Sequence, residues 1–528
     1  MRRNLVIRIV STIVFACVLF YVLIPAINFR DMEFWFFLLV IFMFYKFLGV
    51  IDIKDIVLGK KRLDVNGYKS YLGVIIIFVI IMGINLIVSP VFDAKGYSKR
   101  ITIDESTNFV DDVEEVNFNS LPLLDKASSQ KLGDRVMGQM PELVSQFRVS
   151  DLYTQINYKS DIVRVTPLEY ASVIKYFTNR SEGVKGYISV NSVTGAATLT
   201  KLDKGMRYMP SALFNERLER KLRFLYPTEI FDEISFEVDN EGNPYWIVPT
   251  VKYKGISVRK EINGVIIFDP ISGKAKKYSV DKVPDWVDHV YSADLIIEQV
   301  NDWGTYKSGF VNSVIGQKGV VVTTDGYNYT VMNDDVYLYT GITSVATDES
   351  NIGFILCNMR TKETHFYAVP GAEEYSAMAS AEGQVQQMKY EASFPLLINL
   401  NNRPTYLMSL KDNAGLVKMY AFVDVTDYQK VVVTDSSLGI EKASNNYLNN
   451  VSYEVDDSTM KEKTIKIKNI SNAIINGNTN YYIIDYDNQK YKVSINIASD
   501  KLPFLKVDDE LNISYITEEE VIEIKKIG

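Results

Sequence analysis

Hydropathy divides the chain sharply near residue 92. Three apolar runs precede that point, at residues 9–27, 34–51 and 71–92. Each has the ~20 residues that a helix needs to cross the hydrocarbon core of a membrane. Only a few polar residues separate the first two runs, which predicts a helical hairpin. The pattern therefore predicts an anchor of three transmembrane helices in residues 1–92.

Beyond residue 92 a short pattern occurs four times, in stretches that begin at Gly186, Gly264, Gly353 and, more loosely, Met419. Each stretch is an apolar strand that ends in one amide or acid residue: Asn191, Asp269, Asn358 and Asp424. In the first three stretches Thr or Ser follows three positions later. These side chains bond the backbone N–H groups of turns. The pattern predicts closing hairpins in a tandem array of similar αβ units.

The turn residue differs between copies. Gly195 and Gly273 can supply a positive φ in the first two copies, whereas Lys362 and Tyr428 stand there in the third and fourth. Because residues with a Cβ disfavour positive φ, a different turn is expected in the last two copies.

The whole pattern predicts an α+β fold of eight segments. They are an anchor (1–92), a juxtamembrane stalk packed on the first unit (93–160), four αβ units (161–205, 206–285, 286–390 and 391–440), a linker (441–463) and a C-terminal barrel (464–528). In the first unit a capping box, Thr166-Pro-Leu-Glu169, predicts a helix through Phe177. In the third unit Gly304 is expected to stop a helix.

Residues 464–527 contain five short strands with period-two alternation. That number of strands in so short a segment fits a small OB-like barrel.

The second unit carries the clearest sequence signature. An amphipathic helix with Leu213, Phe214, Leu218, Leu222 and Leu225 on one face precedes the strand YWIVPTV (245–251) and the hairpin GVIIFDPISGK (264–274). Residues 211–280 resemble the PepSY domain family, and the other units resemble it in part. The resemblance implies a helix packed on an antiparallel meander. It also implies protein or peptide binding, since PepSY-like domains are associated with restraining peptidases and with envelope sensing.

Lys and Arg in the short loops predict the orientation. Arg2, Arg3 and Arg8 precede the first run, and the loop after the second run holds five more: Lys54, Lys60, Lys61, Arg62 and Lys69. The positive-inside rule then places the N-terminus in the cytoplasm and residues 93–528 outside the cell membrane. Lys95, Lys99 and Arg100 count against this. A cleaved signal peptide and lipidation at Cys17 are the alternatives to an intact first helix.

Charge and cysteine content limit the function further. Residues 1–91 hold 10 Lys or Arg and 5 Asp or Glu, which leaves 47 basic and 60 acidic residues beyond them. A net charge near −13 disfavours nucleic-acid binding through a basic surface. Cys357 is the only cysteine outside the first run, so a disulfide within residues 93–528 is excluded.

No catalytic motif stands out. The chain has two histidines, His289 and His365, and no zinc, nucleophile-elbow or phosphate-loop motif. His289 is expected to be packed and hydrogen-bonded. Ser128 and Lys131 match S-x-x-K without its partner motifs. Adjacent carboxylates are expected to be solvated turn residues. We therefore predict no catalytic residue, cofactor or metal.

Two surfaces are candidates for partner binding. One is the basic face of the helix in the second unit, with Arg217, Arg220 and Arg223, for which a solvated face is the alternative. The other is a segment rich in small residues at 373–387, for which an internal core helix is the alternative. Its candidate contacts are Glu373, Glu374, Tyr375, Met378 and Gln384.

Three functions follow. The first is a non-enzymatic, membrane-anchored scaffold outside the cytoplasm that binds a protein or peptide of the envelope or a second copy of itself. The second is an envelope hydrolase that uses paired carboxylates in a deep polar cleft. The third is an accessory subunit of a larger membrane transport complex, because three helices with only Lys46 and Asn85 as polar candidates cannot form a substrate path alone.

Overall fold

A computed structural model of the chain describes residues 2–50, 68–118, 121–332, 335–345, 350–450, 461–475, 478–495, 498, 501–517 and 520–526. They form a mixed α+β fold, as the sequence predicts. The chain divides into two compact units, the first made of 1–418 with 423–429 and the second of 419–422 with 430–528. The division passes through the strand Val417–Asp424.

The apolar N-terminal runs form helices at Arg2–Leu23, Met32–Val50 and Tyr68–Ile87, followed by Pro90–Ser98. Among the described residues one helix, Leu5–Leu23, is long and apolar enough to cross a membrane, and Tyr71–Ile87 with Pro90–Ser98 passes the same test as a pair bent by 48°. The expectation of three spans is therefore not met, since one helix passes the test, or two if the bent pair counts as one span. The bend falls at Pro90, which cannot continue a helical hydrogen-bond ladder. The basic loop expected after the second run lies mostly outside the described residues.

Four αβ repeats follow, and they begin in the same way. In each, two short strands pair antiparallel with one and the same long strand. In the first three, two further strands extend the long one into a meander. The shared topology supports tandem repetition.

Repeat 1 comprises helices Lys126–Gly138, Pro141–Val144 and Val173–Asn179 with strands Phe147–Val149, Thr154–Tyr158, Asp161–Tyr170, Val184–Asn191 and Ala197–Met206. Repeat 2 comprises helix Leu218–Leu225 with strands Ile230–Phe231, Ser235–Val238, Pro244–Lys254, Arg259–Phe268 and Ala275–Tyr278. Repeat 3 comprises helix Ala293–Tyr306 with strands Val321–Thr323, Asn328–Met332, Asp335–Ser344, Ser350–Asn358, Thr364–Tyr367 and Gly371–Ala372. Repeat 4 begins with helix Glu374–Gln384 and strands Glu391–Ala392, Leu396–Leu400 and Arg403–Lys411.

The recurring Asn or Asp accepts hydrogen bonds from turn amides in all four copies, as the sequence predicts. Asn191 Oδ1 accepts from the N–H groups of residues 193 and 194 at 2.9 and 2.8 Å, and Asp269 Oδ1 accepts from those of residues 271 and 272 at 2.8 and 3.2 Å. Asn358 and Asp424 bond the equivalent amides at 2.8–3.1 Å. The pattern is therefore turn chemistry.

The third turn corrects one prediction. Lys362 has φ 65°, close to the 74° and 72° of Gly195 and Gly273. Its N–H donates to the carbonyl of Asn358 at 2.9 Å, and the N–H groups of the two glycines donate in the same way to the carbonyls of Asn191 and Asp269. The third copy thus keeps the turn of the first two although it has lost the glycine. Tyr428 has no positive φ, so a different turn is found only in the fourth copy.

Two helix predictions were also wrong. Residues 166–170 belong to the strand Asp161–Tyr170, where Pro167 pairs with Tyr187. The helix begins later, at Val173, capped by Ser172. Gly304 lies inside the helix Ala293–Tyr306, and an added Cβ would overlap the carbonyl of Val321. It serves close packing rather than termination.

The segment expected to pack as a stalk on the first unit does so only in its second half, where the helix Lys126–Gly138 contacts the strands of repeat 1. The strand Ile103–Thr107 adds in parallel to the edge of the repeat 3 sheet at Thr364–Tyr367. Further on, Glu115 forms a bridge with Asn399 of repeat 4. The strands of repeat 1 already begin at Phe147. Residues 103–115 thus connect to repeats 3 and 4 instead.

Neighbouring repeats share their cores. Trp246 and Val248 of the strand Pro244–Lys254 point into a core formed with repeat 1, and Ile247 between them points into a core formed with repeat 3. Because side chains alternate along a strand, this strand is buried on both faces. Trp286 packs on Tyr245 with 5.1 Å between ring centroids. Trp286 therefore packs against the strand Pro244–Lys254 of repeat 2.

The second unit contains the strand Val431–Asp435 and the helix Ile440–Asn450, and then the five strands that the sequence predicts. These are Lys461–Ile475, Asn478–Asp485, Lys490–Ser494, Glu510–Thr517 and Glu520–Lys526. They form one antiparallel sheet in which the first strand is central. The edge strands Lys490–Ser494 and Glu520–Lys526 lie against one another, which curls the sheet.

Candidate binding cavity

A cavity of about 340 Å³ lies in the first unit where segments of all four repeats meet. Its volume is within the range of small-ligand sites. Its lining comprises Asp125, Lys126, Leu152, Tyr153, Thr154, Gln155, Arg164, Glu233, Ile234, Ser235, Pro249, His289, Tyr291, Ser292, Ala293, Tyr327, Asn328, Tyr329, Met359 and Phe394. Lys126 and Glu233 are exposed, so the cavity reaches the solvent.

Arg164 is the cavity's most unusual residue. It lies in the middle of the strand Asp161–Tyr170, opposite Gln155 on the neighbouring strand, and only 6% of its surface is exposed. Its Nη2 donates to Oε1 of Gln155 at 2.7 Å. Its Nε has no partner, and no carboxylate of the described residues forms an ion pair with it. A buried charge normally has such a partner because desolvation is costly.

The charge on Arg164 persists despite burial. Burial lowers the pKa of its guanidinium to about 10, which still leaves it protonated at neutral pH. Asp125 is the carboxylate whose charge opposes this shift, and it is already engaged by Lys411 and by the N–H of Ser128 at 2.9 Å. Although burial acts to raise it, the bond from Lys411 holds the pKa of Asp125 below its ordinary value. The cavity therefore has a positive charge in its wall without a dedicated counter-ion.

Gln155 adds a second donor without an acceptor. Its side chain is 2% exposed, and its Nε2 has no partner in the described part of the chain. The guanidinium of Arg164 binds the amide oxygen, which directs the NH₂ group away from Arg164. Two buried donors that face the same cavity are what a carboxylate or another planar anion requires.

The remaining walls are largely aromatic. Tyr291, Tyr327, Tyr329 and Phe394 line the cavity together with Pro249. His289 is fixed rather than free, because its Nε2 donates to the main-chain oxygen of Gln155 at 2.7 Å and its ring lies 5.9 Å from that of Tyr329. This agrees with the expected packed, hydrogen-bonded histidine. The cavity thus combines apolar surface with one anion-binding corner.

Two buried carboxylates lie close by but do not line the cavity. Glu237 is fully buried and accepts from the N–H groups of Asp288 and His289 at 2.8 and 3.1 Å. Asp288 accepts from the N–H of Asn157 at 2.8 Å. Burial raises the pKa of both acids, and the nearby Glu237 raises that of Asp288 further.

The basic helix face of repeat 2 is not a free surface. Arg220 and Arg223 are buried, and their Nε atoms donate to the main-chain oxygens of Tyr21 and Ile24 at 3.0 and 2.9 Å. Both arginines bind the end of the first helix of their own chain. Their assignment to partner binding or to a solvated face is therefore wrong. Arg217 alone is partly exposed, and it pairs with Glu219 at 2.9 Å.

The small-residue segment forms the helix Glu374–Gln384, as predicted. Glu374 is fully buried and accepts from Nδ2 of Asn351 at 3.3 Å, so it cannot contact a partner. Ala377 and Ala381 are buried with it, which favours the core-helix alternative for that face. Tyr375 and Gln384 are exposed, whereas Glu373 and Met378 are half-buried.

None of the predicted partner-binding residues lines the cavity. The sequence did hold one signal for the cavity, which is the single charge in the otherwise apolar run Ile162-Val163-Arg164-Val165. Gln155 and the aromatic walls come from segments far apart in sequence. Among the described residues, no group of three or more His, Cys, Asp or Glu could hold a metal ion.

Comparison with known proteins gives no family. No family model and no curated protein sequence matches the chain. Among solved structures it is similar to a cobalt-substituted ACO from Synechocystis, at 7% identity and a TM-score of 0.14 over 72% of this chain and 62% of that one. The chain thus covers less than two thirds of that protein's length, and a TM-score this low carries no information on fold or function.

Proposed function

We propose that this chain is a membrane-anchored binding protein of the cell envelope whose extracytoplasmic part holds a carboxylate-bearing ligand, such as a peptide end, in the cavity at Arg164. The observation that carries the proposal is the buried, protonated Arg164 without a carboxylate partner among the described residues. Such a charge is costly in the empty protein, and an anionic ligand offsets that cost.

The multi-pass anchor belongs to the proposal. Along the first helix, Val6, Ile13 and Val18 each leave more than half of their surface exposed, and Ile75 and Ile80 of the helix Tyr68–Ile87 do the same. Exposed apolar helices of this length suit a bilayer. We include the helix Met32–Val50 as the second leg of a hairpin, and the basic residues before the first helix then favour an N-terminus inside and residues 93–528 outside.

One charge that opposed this orientation is neutralised locally. Arg100 lies buried against Glu261, Glu298 and Asp302, with 3.1 and 2.6 Å to the first two. Three carboxylates around one guanidinium leave no free positive charge there. Its weight against the proposed topology is correspondingly small.

The domain resemblances support a binding role. The helix and meander of repeat 2 follow the order that PepSY-like domains imply, and the curled sheet of the second unit suits an OB-like barrel. PepSY-like domains are associated with peptide and protein binding, which matches a cavity with aromatic walls and an anion-binding corner.

The envelope-hydrolase alternative is not favoured. It requires a carboxylate with a raised pKa in an open cleft. The acids of the described residues whose pKa is raised are Glu237, Asp288, Asp302 and Glu374, and none of them lines the cavity. Of the carboxylates that line it, the pKa of Asp125 is lowered.

The test is calorimetry on the full-length chain in detergent with a set of dipeptides, each presented with a free carboxyl end and as the amide. We expect binding of the free acids and at least tenfold weaker binding of the amides, because a charge-assisted hydrogen bond contributes about 1.5–3 kcal/mol. Arg164→Met should weaken the binding of the free acids by a similar factor.

The matched control is Arg148→Met. Arg148 lies in the same sheet but is exposed and pairs with Glu169 at 3.0 Å, so its loss should leave binding unchanged. The proposal is overturned if acids and amides bind alike, or if Arg164→Met binds as tightly as the parent.

A further inference from the structure

Six exposed apolar side chains of repeats 1 and 2 form a continuous surface, called here the apolar patch: Val173, Ile174, Phe177, Phe214, Phe224 and Leu225. Each of these residues has between 43% and 71% of its surface exposed. Clusters of large apolar side chains are uncommon on a water-facing surface and mark an interaction site.

The patch begins at the first helix. The ring of Phe224 lies 6.1 Å from that of Phe20 and 6.4 Å from that of Tyr21. Both are inside Leu5–Leu23, the helix that is apolar and long enough to cross a membrane. A bilayer that covers this helix as far as Leu23 therefore also reaches Phe224.

The patch continues away from the helix without a gap. Tyr21 donates its hydroxyl proton to Asn215 at 3.2 Å, which holds the neighbouring Phe214 beside the helix end. The ring of Phe214 lies 6.1 Å from that of Phe177. Phe177 belongs to the short helix Val173–Asn179, whose residues Val173 and Ile174 complete the patch.

The backbone at Phe214 is strained, and the side chain is exposed in this strained conformation. Its φ is 51°, in the left-handed region that a residue with a Cβ disfavours. The strain brings no burial within the chain, since 52% of Phe214 remains exposed. Such strain is typical of positions that serve a contact outside the chain.

The rim of the patch is basic. Lys175 follows Ile174 on one helix, and Lys221 precedes Phe224 on another. Lysine beside exposed aromatic and aliphatic side chains is the composition of surfaces that lie in the headgroup region of anionic membranes. The continuity with a membrane-spanning helix selects the bilayer as the occupant over a protein partner.

We infer that the apolar patch lies in the boundary between headgroups and acyl chains of the membrane that holds the first helix, so that repeats 1 and 2 rest on the bilayer surface. This inference rests on the proposed membrane anchoring. It adds that the extracytoplasmic part has a fixed face toward the lipid.

The experiment uses the full-length chain with Cys17→Ala in nanodiscs of phosphatidylcholine and phosphatidylglycerol. Cys357 is buried and remains unlabelled. A spin label at Ile174→Cys or Phe214→Cys is compared with one at Met388→Cys, an apolar position of repeat 4 with 47% of its surface exposed. Power saturation with oxygen and with a water-soluble nickel chelate then reports lipid or water around each label.

At positions 174 and 214 we expect oxygen accessibility to exceed that to nickel several-fold, and at position 388 the reverse. If nickel accessibility is equal at all three positions and the chain resists alkaline extraction, the inference that the apolar patch lies in the membrane is wrong, but the anchoring stands. Low accessibility to both reagents would overturn it in favour of a protein contact. Release of the chain by alkaline extraction would overturn the anchoring and the patch together.

Discussion

Arg223 donates its Nε proton to the main-chain oxygen of Ile24 at 2.9 Å, immediately beyond the helix Arg2–Leu23. Arg220 makes the same contact with the main-chain oxygen of Tyr21 at 3.0 Å. The last carbonyls of a helix lack intrahelical partners and carry partial negative charge. Two arginines of repeat 2 thus cap the first helix and attach the folded domain to it.

Replacing Arg223 with Met should loosen this attachment. The change removes donors from the carbonyls of Ile24, Tyr226 and Glu229, all in a buried setting. We expect the free energy of unfolding to fall by about 2 kcal/mol, the range for a hydrogen bond that involves a charged group. Thermal unfolding of the chain in detergent, followed by near-ultraviolet circular dichroism, measures it.

Arg217→Met, at the residue that precedes the same short helix, is the matched control. Its partly exposed pair with Glu219 should contribute less than about 0.5 kcal/mol. If both variants melt at the same temperature, the caps on the first helix do not stabilise the fold.

The repeat 2 helix explains what sequence could and could not predict. Its periodicity correctly identified Leu218 and Leu222 as buried. Phe214 and Leu225, assigned to the same buried face, are exposed, and Arg220 and Arg223 are buried instead. The periodicity assumes one apolar neighbour, whereas this helix also packs against a helix some 200 residues earlier.

The turns were predictable because their physics is local. An Asn or Asp that bonds the amides two and three positions later needs no information from elsewhere in the chain. The cavity is different, since Gln155, Arg164 and Tyr291 come from three separate segments. Only the lone charge in an apolar strand indicated it, and sequence alone does not show whether such a charge finds a partner.

Asp269 offers a direct test of the repeated turn. Asp269→Ala removes the acceptor for two amides, at 2.8 and 3.2 Å, and should cost about 1–2 kcal/mol of the free energy of unfolding. Asp269→Asn keeps an acceptor oxygen and should cost far less. Urea unfolding midpoints of the two variants decide this, and equal losses would show that the charge rather than the turn bonds matters.

The pair of Glu237 and Asp288 should make stability depend on pH. Burial and the neighbouring Glu237 raise the pKa of Asp288 well above its ordinary 3.8. Above the ordinary pKa of 3.8 the unfolded chain releases the proton of Asp288, whereas the folded chain keeps it up to the raised pKa. The free energy of unfolding therefore falls as pH rises between these two pKa values. Urea midpoints between pH 5 and pH 8 measure this decline.

Asp288→Asn should reduce the decline. The amide keeps an acceptor for the N–H of Asn157 and has no proton to release, so we expect a gain of about 1–3 kcal/mol at pH 8. Asp285→Asn, at an exposed position three residues earlier, should change neither the urea midpoint nor its dependence on pH. A wild-type pH dependence in Asp288→Asn would contradict the buried pair as its source.

Arg164 should stabilise the ligand-bound state at the expense of the empty protein. Met has a similar length and no charge, so Arg164→Met removes the desolvation cost of a buried guanidinium and forfeits one bond to Gln155. Replacing a buried charge with a packed apolar residue is often neutral or stabilising by about 1–4 kcal/mol. We therefore expect the ligand-free variant to unfold at a higher urea concentration than the parent, although it no longer binds carboxylates. Loss of stability together with loss of binding would mean that Arg164 holds the fold, whereas higher stability without binding identifies a charge retained for a ligand.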